Sequence, residues 1–150
     1  MRWITRERVK VDRVACPWLI LKFVDPQAEF VFLPHDTDWM HVDGTVFDVP
    51  GAELGHHGEK VSFEAILDKY GLDDPALRLL GEIVRAADSK PANPHPAGEG
   101  LRWIAHGFAS LGLSDHELLS REFPVYDALF AECQKRAAAA EGNSAPINVE

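Results

Sequence analysis

Apolar residues along this chain repeat first with the period of a strand and later with the period of a helix. From Arg2 to Val11 the residues are polar and β-compatible; in an extended chain Arg6, Arg8 and Lys10 share one face, with Thr5, Val9 and Val11 on the other. Next comes ACPWLILKFV. Pro17 suits the first position of a helix, Cys16 its N-cap, and Trp18 to Val24 a body apolar almost all round, which predicts burial. Asp25-Pro26 ends it. Glu29 to Leu33 and Thr45 to Val49, rich in Phe and Val, read as short strands joined by the polar stretch HDTDWMHVDG.

Beyond a glycine-rich loop from Pro50 to Gly58 the helical period takes over. Ser62 is positioned to cap a helix whose Phe63, Ile66, Leu67 and Tyr70 line one face, and Gly71 ends it. Asp74-Pro75 opens another, striped by Leu77, Leu80, Val84 and Ala87. A proline-rich loop, Ser89 to Gly100, leads to a helix from Leu101 to about Leu111. Ser114 and Glu117 form a capping box for a short helix, which Pro124 breaks, and the pattern restarts over Val125 to Ala140. The pattern predicts an α+β fold, mostly helical: a small β-containing N-terminal third packed on four to five helices. It is a single domain over 1–141 with a flexible tail over 142–150.

Composition narrows the functions. The formal charge of -9 opposes general nucleic-acid binding, yet five of the fifteen Lys and Arg residues (Arg2, Arg6, Arg8, Lys10, Arg13) fall before position 14. No apolar run reaches membrane-spanning length, and the basic start lacks the apolar core of a secretory signal. Two cysteines, Cys16 and Cys133, suggest reduced thiols in a cytoplasmic protein. Phosphate-binding loops, dinucleotide fingerprints, serine-hydrolase elbows and the HExxH and CxxC motifs are all missing.

Three constellations could carry chemistry. A cysteine at a helix N-terminus beside Arg13 would have a lowered pKa, and the same helix mouth with Arg6, Lys10 and Arg13 would hold an oxyanion. Equally, Cys16 packs as a small hydrophobe and the cations form a solvated strand edge. In GAELGHHGEK, Glu53 and His56 with the adjacent His57 offer a carboxylate and imidazoles suited to zinc, iron, nickel or manganese; alternatively the histidines face water. The cluster His35, Asp36, Asp38, His41 and Asp43 lacks EF-hand spacing and ranks lower.

Together, WITRERVKVDRVACPWLI, FDVPGAELGHHG and PVYDALFAEC resemble the chromate resistance (ChrB) domain family over Trp3 to about Cys133. The resemblance implies a cytoplasmic chromate-response domain that binds an oxyanion or a divalent metal ion for sensing or detoxification. The matching positions are Thr5, Arg6, Lys10, Asp12, Arg13, Cys16, Glu53, His56, Gly58, Tyr126 and Asp127. Val61 stands where members often carry a cysteine, which speaks against thiol chemistry shared between two positions. On this reading Arg6, Lys10, Arg13 and the Cys16 helix end form one wall of a cleft, and the Glu53–His56 loop the other. Asp12 orients an arginine or ligates the metal, with Glu53, His56 and His57 as further ligands. The competing readings are a metal-dependent enzyme using Glu53 and His56, a chromate reductase using Cys16, and a domain that mediates assembly, as in a homo-oligomer. No membrane or direct nucleic-acid partner is expected.

Overall fold

The structure, a computed structural model, describes residues 1–144. Three parallel strands form one sheet in the order β2-β1-β3: β1 Arg2–Arg6, β2 Glu29–Leu33 and β3 Thr45–Val46. Parallel neighbours need a crossover, and between β1 and β2 that crossover is α1 (Asp12–Leu19), which winds on through a π-helical turn at Ile20–Val24. Trp3 of β1, buried under the crossover, donates from Nε1 to Asp25 at 3.0 Å and so ties the strand to the end of that helix. Four further helices complete the α+β fold: α2 Ser62–Lys69, α3 Pro75–Asp88, α4 Ala97–Ala109 and α5 Asp115–Ser144. No helix among the described residues is long and apolar enough to cross a membrane.

The stripes predicted for α2 and α3 are the buried faces, Phe63, Ile66 and Leu67 on one and Leu77, Leu80, Val84 and Ala87 on the other, except that Tyr70 lies just past the end of α2 and is exposed. Where α3 meets α4, a Cβ on Gly98 would lie 2.4 Å from the Ala86 Cβ, so that close approach requires glycine. Trp18, fully buried, is ringed by Phe23, Phe130 and Tyr126 with centroids 5.9, 5.4 and 6.2 Å away, and these contacts dock α5 on α1.

Four local readings differ. α1 starts at Asp12, not at Pro17, so Cys16 lies mid-helix and caps nothing. Burial of Val14 and Ala15, with the Asp12 carboxylate accepting two backbone N–H groups, makes the helical path upstream of the proline favourable, at the cost of the one hydrogen bond Pro17 cannot donate. β3 ends at Val46; Phe47 still donates its N–H to the Ile4 carbonyl of β1 at 3.0 Å but otherwise forms an isolated bridge to Leu54. Pro124 does not split the last helix: α5 runs through it for 30 residues, about 45 Å at 1.5 Å per residue. Buried Leu118, Leu119, Tyr126 and Cys133 on both sides of the proline outweigh the lost bond. The helix extends to Ser144, and residues 145–150 of the expected tail lie outside the described residues.

Candidate functional site

Asp12 opens α1 with its side chain inside the protein, only 1% exposed. Its carboxylate accepts the backbone N–H groups of Ser62 (2.8 Å) and Phe63 (3.1 Å), the first residues of α2. A helix start leaves such donors unpaired and carries partial positive charge, so one helix supplies the cap of another. Ser62, predicted to be that cap, turns its hydroxyl to Asp48, donating to Oδ1 at 2.7 Å. Asp48 sits in the segment between β3 and the glycine-rich loop with a left-handed φ of 50°, a conformation aspartate tolerates better than most residues.

Into this pair comes His56 from the glycine-rich loop. Its Nε2 lies 3.3 Å from Asp12 Oδ2, 3.4 Å from Asp48 Oδ1 and 3.2 Å from Asp88 Oδ2 at the end of α3. Four chain segments thus bring three carboxylates and an imidazole to one point. A single N–H cannot satisfy three acceptors; a cation can. Ligand atoms of Asp12, Asp48 and His56 all lie within 4.8 Å of one another, a spacing that fits one shared ion. His56 is about half exposed and forms the mouth, whereas the aspartates form the floor.

The charges press on one another. Burial, then the charge of Asp48, pushes Asp12 up to about 7, with His56 pulling the other way. Hydrogen bonds to Asp12 and Asp48 raise His56 to about 10. Asp88 is raised by burial and by Asp48, against the opposing pull of His56. On the far side of Asp48, Arg13 Nη1 stands 3.6 Å from Oδ2.

The other predicted residues are placed as follows. Cys16 is fully buried, with Sγ donating to Asp12 Oδ1 at 3.3 Å; burial, then the neighbouring carboxylates, hold it far above the ordinary thiol range. A lowered pKa would need exposure or a facing cation, and neither is present among the described residues. Glu53 is exposed and paired with Lys69, and His57 is exposed, its Nε2 2.6 Å from the Glu53 carbonyl oxygen. The structure therefore gathers Asp12 and His56 and leaves Glu53 and His57 in a separate surface depression beside Lys60 and Asp68. Arg6, Lys10 and Arg13 line a groove of about 550 Å³ with Glu7, Arg8 and His35. Tyr126 is buried and donates to the Val11 carbonyl at 3.2 Å; Asp127 accepts from Trp18 Nε1 and pairs with Lys22, both at 2.9 Å. Asp38 and His41 form an exposed local pair.

Asp48 and Asp88 are the members that sequence reasoning missed. Asp88 did leave a trace, because an acidic residue in the last turn of a helix opposes the macrodipole and calls for a reason.

Comparison with known proteins agrees with this arrangement of motifs. Residues 3–133 match the family model described as ChrB, C-terminal domain. The chain is 37% identical over 130 residues to Protein ChrB of Cupriavidus metallidurans, an alignment covering 86% of this chain and 40% of that protein. No solved structure matches the chain. The chain belongs to the ChrB C-terminal domain family.

Proposed function

We propose that this chain is the ligand-responsive domain of a cytoplasmic chromate-resistance protein, and that its ligand is a divalent metal ion held by Asp12, Asp48, Asp88 and His56. The role in chromate resistance rests on family membership, and the site rests on one observation. Three carboxylates and an imidazole converge from four segments, with Asp12 locked in place by the start of α2. Carboxylate oxygens with one imidazole nitrogen suit manganese, iron, zinc or nickel. Asp12 is fixed and His56 is at the surface, so an ion would enter past the imidazole and settle against a rigid floor. Two free, buried cysteines fit a reducing compartment.

The same geometry gives less support to the competing chemistry. A thiol-dependent reductase needs a reachable thiolate, and Cys16 is neither exposed nor ionised at neutral pH. An enzyme built on a Glu53–His56 ligand pair would need Glu53 to leave Lys69 and join the buried aspartates.

The test is metal content and heat stability. Protein purified without chelator, then stripped, is titrated with Mn²⁺, Zn²⁺ and Ni²⁺ while unfolding is followed by calorimetry. An ion present at a hundred times its dissociation constant should add about 2.7 kcal/mol. For a chain of this size that raises Tm by roughly 5–10 °C. His56→Ala and Asp48→Asn should abolish the rise. A Tm that no divalent ion moves would remove the metal site.

A further inference from the structure

Arg13 belongs to two places at once. It faces Asp48 Oδ2 across 3.6 Å, and it lines the groove formed with Arg6, Glu7, Arg8, Lys10 and His35. Of its five N–H donors the contact to Asp48 uses one, at a length too great for a strong bond, and its Nε is buried without an acceptor among the described residues. The side chains of Arg6, Arg8 and Lys10 have no hydrogen bond or ion pair among the described residues. The four cations face the carboxylate of Glu7, with Asp48 behind Arg13 and Asp115 under the turn, so the lining remains net positive on a protein of net charge -9. The loop that presents them is held in shape. Arg8 adopts a left-handed φ of 62°, and its own N–H and that of Val9 are both accepted by Asp115, at 3.1 and 2.9 Å. Strain kept in place by a dedicated carboxylate is typical of a built binding turn. Apart from the imidazole of His35 the groove is lined by charged side chains and no large apolar one, so it suits a small, compact anion.

We propose that this groove binds a small divalent oxyanion, and that the Arg13–Asp48 contact couples its occupancy to the binding of a cation between Asp12, Asp48, Asp88 and His56. Asp48 is the hinge of the argument: Oδ1 faces His56 and Ser62, while Oδ2 faces Arg13. A cation drawn to Oδ1 withdraws charge from the same carboxylate, loosens its hold on Arg13, and frees that guanidinium for an anion. Linkage makes the effect mutual, each ligand raising the affinity for the other. The coupling to a metal rests on the proposed function above; the role of Arg13 does not.

The two are separated by a substitution that needs no metal. Asp48→Asn keeps the shape, keeps an oxygen for Ser62 and tolerates the left-handed backbone, but cancels the charge facing Arg13. The chain is titrated with sodium sulfate at fixed ionic strength, with the Arg13 Nε–H resonance read by ¹⁵N NMR. Stripped Asp48→Asn should bind sulfate about tenfold more tightly than stripped wild type, a coupling of ordinary size. Arg6→Gln with Lys10→Gln, which leaves Arg13 and Asp48 untouched, should bind it several-fold more weakly. In wild type, saturating diamagnetic Zn²⁺ should reproduce the Asp48→Asn affinity. Equal sulfate affinity in wild type and Asp48→Asn, or an Arg13 resonance that sulfate never moves, would overturn the proposal. If no divalent ion binds yet Asp48→Asn still tightens sulfate, the groove and its hinge stand and the metal reading falls.

Discussion

Glu122 offers the sharpest quantitative test of the packing. It lies in the first half of α5, fully buried, and neither carboxylate oxygen has a hydrogen-bond partner among the described residues. Burial alone pushes it up to about 7 from an ordinary 4.5. The folded protein therefore keeps a proton that the unfolded chain has already released, and the window runs from pH 4.5 to 7. Since the folded state binds more protons there, this residue's contribution is most favourable below the window and is lost as pH rises through it. Integrating the two titrations gives a penalty of about 0.8 kcal/mol at pH 5 and about 3.3 at pH 8. Replacing Glu122 by Met, similar in length and a good helix former, removes the penalty without leaving a polar orphan. The assay is urea unfolding of wild type and Glu122→Met at half-unit intervals between pH 5 and 8. The gain in the variant should grow by about 2.5 kcal/mol across that range. Taking the difference between two chains cancels every other titrating group, Asp12 and His56 included. Two stability curves that run parallel with pH would refute the reasoning, because they would mean that Glu122 ionises equally in both states.

Two further predictions concern how the site and the helices are held. Asp12→Ala removes the cap on α2 and leaves His56 facing only two carboxylates; it should cost about 2–4 kcal/mol in urea unfolding, with the Ser62 and Phe63 amides losing protection in hydrogen exchange. Asp12→Asn keeps an acceptor for one of those amides and should cost less than half as much. Gly98→Ala drives a methyl into Ala86 and should destabilise by about 1–3 kcal/mol, whereas Gly100→Ala and Gly107→Ala, whose added Cβ would meet nothing within 4 Å, should be neutral or slightly stabilising by the same measurement.

What could be read from the sequence divides along the range of the forces involved. The faces of α2 and α3 were legible because a helix must turn one stripe inward, and Phe63, Ile66, Leu77 and Leu80 repeat at that period. The beginning of α1 was not, because what fixes it is distant: Asp12 is held by backbone groups some 50 residues away, an interaction with no local signature. Pro124 misled for a related reason. Its effect on an isolated helix is unfavourable, and only the tertiary contacts on either side override it. In the site, Asp12 and His56 stood out through their motifs; Asp48 stands in the same motif as His56 but between Phe47 and Val49 it reads as a strand residue, and Asp88 lies in a segment ordered by the fold alone. Glu53 shows the opposite error: a carboxylate three positions before a histidine suggests a shared ligand, but in a glycine-rich loop that spacing sets no common direction, and Lys69 claims it instead.

Cys16 and Cys133 are both almost wholly enclosed, and burial holds each thiol in its protonated form. Oxidants attack the ionised sulfur of cysteine, so neither thiol is open to a dissolved oxidant on the native surface, whereas the thioether of Met40, 89% exposed, is. Thiol oxidation can then proceed only through molecules that have transiently opened, and its rate becomes a measure of conformational stability. A domain arranged in this way keeps both cysteines reduced for as long as it stays folded.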